Sequence, residues 1–96
     1  MLGQLLEIER RFEDLNRRIL DPAVLANVPE LTKISKERAK LEPGVTLSRE
    51  YRRIEKELED AKGLLESDDD DLRELAKVEI KSLAPKLSEA KEKLEL

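Results

Sequence analysis

Apolar residues recur along this chain at the three-and-four spacing that one face of an α-helix requires. Leu5, Ile8, Phe12, Leu15 and Ile19 fall on one stripe and predict a helix over residues 2–20. The pairs Glu7–Arg11, Glu13–Arg17 and Asp14–Arg18 flank the stripe. Each places an acid four residues before a base, an arrangement worth about 0.2–0.5 kcal/mol on a helix surface.

Asp21-Pro22 stops this pattern. Proline disfavours helical backbone at the residue before it, and Asp followed by Pro is a good helix start. One short turn over Pro22–Leu25 is expected, with Asn27-Val28-Pro29 as the next cap and start. A second helical run then covers residues 29–65. Leu31, Ile34 and Leu41 fit one face of it; Leu47, Tyr51, Ile54, Leu58, Ala61 and Leu65 fit another. The two series do not share a heptad phase, and the break falls at Glu42-Pro43-Gly44. A proline in a helix interior costs about 3 kcal/mol. Two helices meeting at a tight joint would explain the break, but a single long helix with a kink near residues 43–44 is the favoured reading.

Ser67 to Asp71 is a run of capping residues and acids. Carboxylates at a helix start are favoured by the free N–H groups and dipole there. A Ca²⁺ loop would instead need alternating carboxylates, a Gly turn and a distal Glu, and four consecutive Asp do not supply that pattern. A third helix follows over residues 70–95, with Ala76, Ile80, Leu83, Leu87, Ala90 and Leu94 on one stripe. Pro85 lies inside it and removes the bond to the carbonyl of Lys81, so a kink is expected over residues 81–85.

Each helix is apolar on one stripe only and must bury that stripe against another helix. The expected fold is all-α: residues 1–96 form an elongated antiparallel three-helix bundle or coiled coil with a long kinked middle helix. At a rise of 1.5 Å per residue the helices would be about 28, 55 and 38 Å long. The first would pair with the near half of the middle helix and the last with the far half. Such a self-contained bundle would be a monomer. A stand-alone coiled-coil scaffold or oligomerisation module, burying its stripes between chains, is the alternative.

Composition narrows the chemistry. Charged residues are 44% of the chain and apolar ones 39%, a balance typical of long helices; the periodic apolar residues argue against disorder. There is no Cys and no His, so disulfides, the common transition-metal ligands, the thiol nucleophile and the usual general base are missing. Gly3, Gly44 and Gly63 are isolated, so no Gly-rich phosphate loop exists. Glu55 and Glu59 could share a metal, but no third ligand accompanies them. Tyr51 sits at a seam position, where packing is the expected role. No cofactor and no catalysis are expected. Without an apolar run of about 20 residues or a signal-peptide layout, the expectation is a cytoplasmic chain with no membrane partner.

The formal net charge is −4, with the excess acid in the last third, mostly Asp68–Asp71. Duplex-binding domains usually carry a net basic stripe, so the overall balance speaks against free nucleic-acid binding but permits a local phosphate contact. It also disfavours a tRNA-binding coiled-coil arm of an aminoacyl-tRNA synthetase, whose tip would fall near that acidic turn. Two basic groups remain. Arg10, Arg11, Arg17 and Arg18 repeat at seven residues beside the first stripe, and Lys33, Lys36 and Lys40 share a face of the second helix. Solvated faces of intrahelical pairs are the bland reading of both; contacts to RNA phosphates are the functional one.

An ordered series of segments carries a family resemblance. Asp21-Pro22-Ala23-Val24 forms a turn after the first helix. Lys33 to Pro43 reads Lys-Ile-Ser-Lys-Glu-Arg-Ala-Lys-Leu-Glu-Pro. Glu50-Tyr51-Arg52-Arg53 and Leu58 to Leu65 follow, and then Leu72-Arg73-Glu74-Leu75-Ala76-Lys77-Val78-Glu79-Ile80. Together they resemble the amino-terminal domain of bacterial and organellar peptide chain release factors, from Met1 to Leu96. The turn lacks the tryptophan of the release factor 2 branch, which places the chain nearer the release factor 1 branch. Gly44 and Pro85 depart from the family pattern and bear on helix straightness.

The resemblance implies that the whole protein would read UAA and UAG and promote hydrolysis of peptidyl-tRNA on the ribosome. Neither Gly-Gly-Gln nor a Pro-x-Thr codon-reading tripeptide occurs in this chain. It therefore implies a non-catalytic arm that docks at the ribosomal stalk base and its rRNA, in the GTPase-associated region, and works with the class II release factor. Arg10, Arg11, Arg17 and Arg18 become the candidate ribosome contact.

Overall fold

The structure, a computed structural model, describes residues 2–95. The expected domain's end residues, Met1 and Leu96, lie outside the described residues. Four helices follow one another: α1 (Leu2–Ile19), α2 (Pro22–Leu25), α3 (Val28–Leu64) and α4 (Asp70–Glu95). Among the described residues there is no strand, so the fold is an all-α helical bundle.

Local chemistry accounts for the boundaries. Asp21 caps α2: its side chain accepts the Ala23 N–H at 2.9 Å, with Pro22 at the first helical position. Asn27 caps α3 by accepting the Glu30 N–H at 3.2 Å. Asp69 opens α4, its Oδ1 accepting N–H bonds from Asp71 at 2.8 Å and Leu72 at 3.3 Å. Asp70 and Asp71 then lie in the first turn of α4, where the helix dipole favours them. The acidic run is thus a capping sequence. At its far end α3 closes with tighter bonds, Leu65 N–H to the Lys62 carbonyl and Ser67 N–H to the Leu64 carbonyl, which satisfy groups a helix end leaves open.

α3 is one helix through Pro43 and α4 one helix through Pro85, so the reading of two helices meeting at residues 43–44 is excluded. Both prolines are exposed. The carbonyls of Ala39 and Lys81, which lose their usual partners, stand on helix sides that carry exposed residues, where water can bond them.

The chain divides into two compact units, Met1–Ser48 and Arg49–Leu96. In the first, α1 packs antiparallel on the early part of α3. Arg18 meets Glu30, Arg11 meets Glu37 and Glu9 meets Ser48, so position falls along α1 as it rises along α3. Leu5, Phe12, Leu15, Ile34 and Val45 are buried there, and Ile8, Ile19, Leu31 and Leu41 are half-buried. Burying a side chain such as Leu15 or Ile34 contributes about 1.5–3 kcal/mol. Two polar residues join this core: Ser48 is fully buried and donates its hydroxyl to Glu9 Oε2 at 2.8 Å. The Arg38 guanidinium stacks 4.8 Å from the centre of the Phe12 ring and also donates to Asn16 Oδ1. That stacking closes the apolar face with a cation whose charge stays near solvent.

In the second unit the later part of α3 pairs antiparallel with α4. Glu57 and Asp60 of α3 line one groove with Glu79, Ser82 and Leu83 of α4, while Leu65 lines another with Lys77, Val78 and Lys81. Ile54, Leu58, Ala61, Ala76 and Ala90 are buried, and Tyr51, Ile80, Leu83, Leu87 and Leu94 are half-buried. Leu65, expected at the seam, is exposed at the end of α3. Alanines at 61, 76 and 90 keep the side-chain layer in this unit thin.

Two stability outcomes follow. Ser48→Ala leaves the buried Glu9 carboxylate without this donor and should cost about 1–3 kcal/mol. Thermal unfolding should show a midpoint several degrees lower; an unchanged midpoint would deny the bond its structural role. Gly44→Ala should have the opposite sign. No atom lies within 4 Å of a Cβ built there, and alanine in a helix interior gains about 0.5–1 kcal/mol over glycine. Denaturant titration of the two variants side by side measures both.

Candidate functional site

The four arginines singled out by spacing share one side of α1, but the structure gives them two different tasks. Arg11 and Arg18 turn toward α3. Arg11 forms a two-pronged bond with Glu37, Nε to Oε1 at 2.8 Å and a terminal nitrogen to Oε2 at 2.9 Å. Arg18 donates to Glu30 at 2.9 Å. Arg10 and Arg17 stay on α1, Arg10 with Glu7 at 2.8 Å and Arg17 with Asp14 at 3.5 Å. Arg11 also approaches Asp14 at 3.6 Å. The expected pairs Glu7–Arg11 and Asp14–Arg18 are replaced by these contacts, because inter-helix acids and acids three residues away offer better geometry. Every arginine of the candidate contact therefore has a carboxylate partner.

The lysine row has a different setting. Lys33, Lys36 and Lys40 are exposed on α3, three and then four residues apart, and among the described residues none is in an ion pair. The acid nearest the row is Glu37, whose two oxygens are both engaged by Arg11. Thr32 turns its hydroxyl back to the Val28 carbonyl at 2.9 Å. Ser35 and Ala39, also exposed, complete a smooth strip of small residues beside the lysines.

Electrostatics in both units follows the arginine forks. The bond from Arg11, aided by its charge, holds the Glu37 carboxyl below its ordinary 4.5 despite some desolvation. The same bond raises Arg11. In the second unit Arg53 binds Glu50 and Glu57, which pulls Glu50 down and pushes Arg53 up. Tyr51 is raised, first by burial and then by the Glu55 carboxylate beside it. Its half-buried seam position makes it a packing residue. Among the described residues no group of three or more acids could hold a metal ion. Nor is any helix there long and apolar enough to cross a membrane.

Residues 8–96 match the model of the PCRF domain. The chain belongs to the PCRF domain family. It is similar to peptide chain release factor 1 of Anaeromyxobacter sp. strain Fw109-5, 45% identical over 96 residues. The same factor from Anaeromyxobacter dehalogenans strain 2CP-C is 42% identical over 96 residues. That of Clostridium botulinum strain 657 is 44% identical over 95 residues. These alignments cover 100%, 100% and 98% of this chain. The chain spans about a quarter of the length of these relatives, 26% in each case. No solved structure matches significantly. The chain is thus a PCRF domain built from helices.

The arginine forks carry a pH prediction. A carboxyl lowered in the folded state contributes stability that is present above its unfolded value and lost as pH falls through its folded value. For Glu37 and Glu50 the window lies from 4.5 downward. Far-UV circular dichroism of a Glu37→Gln/Glu50→Gln variant should show a shallower loss of stability in that window than the parent chain shows. Superimposable acid curves would mean that the forks add nothing to folding.

Proposed function

We propose that this PCRF domain is the amino-terminal, non-catalytic arm of a cytoplasmic factor that terminates translation at UAA and UAG. The arm docks on the ribosome at the stalk base, in the GTPase-associated region with its rRNA, and works alongside the class II release factor. As an isolated chain it is a monomer. The observation that carries the reading is similarity to release factor 1 along the full chain, in a sequence without Gly-Gly-Gln or a codon-reading tripeptide. A chain with no His, no Cys and no Gly-rich loop, folded as helix pairs, offers surfaces rather than reacting groups. Hydrolysis of the peptidyl-tRNA ester and codon reading then belong to other parts of the whole protein, and this domain supplies position.

A chimera tests the reading. This chain replaces the matching region of release factor 1 from Anaeromyxobacter sp., and peptide release is followed on ribosomes stalled at each stop codon. Release should persist at UAA and UAG within a few-fold of the parent, whereas the chain alone should release nothing. A chimera that folds but has lost ribosome binding would sink the docking role.

A further inference from the structure

We infer that Lys33, Lys36 and Lys40 of α3 contact the phosphate backbone of an RNA, and that Arg11 leaves this row open to it by holding Glu37. The inference rests on the ribosome-docking reading and names the surface and chemistry through which docking occurs.

The argument begins with charge balance. An isolated α3 would set Glu37 four residues after Lys33 and three before Lys40, the spacings at which helix neighbours pair. Glu37 would then neutralise either lysine. In the folded unit both its oxygens are taken by the Arg11 fork, at 2.8 and 2.9 Å. Lys33 still acts on this carboxylate through its charge, but the fork leaves the close bonds to the guanidinium. Glu30, three residues before Lys33, is likewise held by Arg18 at 2.9 Å. Lys36 has no acid three or four residues away on either side. Packing of α1 thus draws Glu30 and Glu37 into close pairs with arginines and leaves the three ammonium groups exposed, with no ion pair of their own among the described residues. The arginines themselves end as inter-helix and intrahelical partners.

The kind of partner follows from what surrounds the row. Protein interfaces rest on aromatic, Arg or large apolar anchors seated in pockets. Here the residues interleaved with the lysines on α3 are Thr32, Ser35 and Ala39, small and exposed; the exposed Leu20, which follows α1, lies in a groove with Ser35 and Arg38 and not among the lysines. There is also no aromatic on which an unpaired base could stack. Lysines are point charges on long stems, suited to phosphate oxygens and tolerant of sequence. With a rise of 1.5 Å per residue, the row extends about 10 Å along the helix, enough to follow successive phosphates. Small neighbours let a backbone approach closely.

The test uses the 96-residue chain, fluorescently labelled, with purified ribosomes across a salt series. Phosphate contacts give a log–log salt slope of about 0.7–0.9 per neutralised phosphate. The Lys33→Gln/Lys36→Gln/Lys40→Gln variant should lose about 2–3 from that slope. Arg11→Gln should also weaken binding by freeing Glu37, and Arg11→Gln/Glu37→Gln should restore it. Circular dichroism and thermal unfolding of each variant check that its helices and their packing persist before binding is compared. If the parent chain binds and the triple variant keeps its full slope, the row is not the contact, while docking stands. If the parent chain does not bind, the docking reading and this inference fail together. If the double variant stays as weak as Arg11→Gln, Arg11 touches the partner itself and its shielding role is wrong. A photo-cross-linker at Lys36 should recover RNA; recovery of ribosomal protein alone would overturn the assignment of partner.

Discussion

Arg11 reaches from α1 to α3 and donates two parallel bonds to Glu37, at 2.8 and 2.9 Å. The group is solvent-facing, so the bond adds little energy by itself. Its importance is geometric. Together with Arg18–Glu30 it sets the register of α1 along α3, which places Leu15 and Phe12 where Ile34 and Arg38 can meet them. It also decides which charges remain uncompensated. A slip by one turn would also unseat the buried Phe12, Leu15, Ile34 and Val45 and part Ser48 from Glu9, so burial and the ion pairs agree on one register.

The helices were legible because their signals are local. Apolar spacing identified the stripe of α1, Asp21-Pro22 the start of α2 and the Ser67–Asp71 run the acidic start of α4, and each rests on residues within a turn or two of one another. The part that was not legible is the part made between helices. Val45 continues the series of Ile34 and Leu41, yet it lies just beyond Pro43-Gly44, where a break was expected and the count stopped. Ser48 and Glu9 escaped for another reason. They are polar, so a scan for apolar periodicity passes over them, although Ser48 follows Leu41 by seven residues and is fully buried. Their mutual hydrogen bond at 2.8 Å is what makes that burial tolerable.

The arginine stripe shows the same division. Its position beside the first apolar face was visible in the sequence, and so were acids four residues away. The partners chosen in the fold are Glu37 and Glu30, far along the chain, together with Glu7 and Asp14 at three residues. No one-dimensional pattern distinguishes an arginine awaiting a ligand from one that clamps a neighbouring helix. Lys36 has no acid within helical reach, whereas each of the arginines does.

Two prolines inside helices complete the physical picture. A helix in isolation would lose about 3 kcal/mol at each. Here the neighbouring stripes are buried against a second helix on either side of the proline in sequence: Ile34 and Val45 about Pro43, Ala76 and Ala90 about Pro85. Packing therefore holds the helical backbone across a position that propensity would break, and the exposed side leaves the freed carbonyls to water. The cost is local and falls on the solvent side, away from the buried layer. A backbone that stays helical through a proline can still present a continuous row such as Lys33, Lys36 and Lys40 just before it.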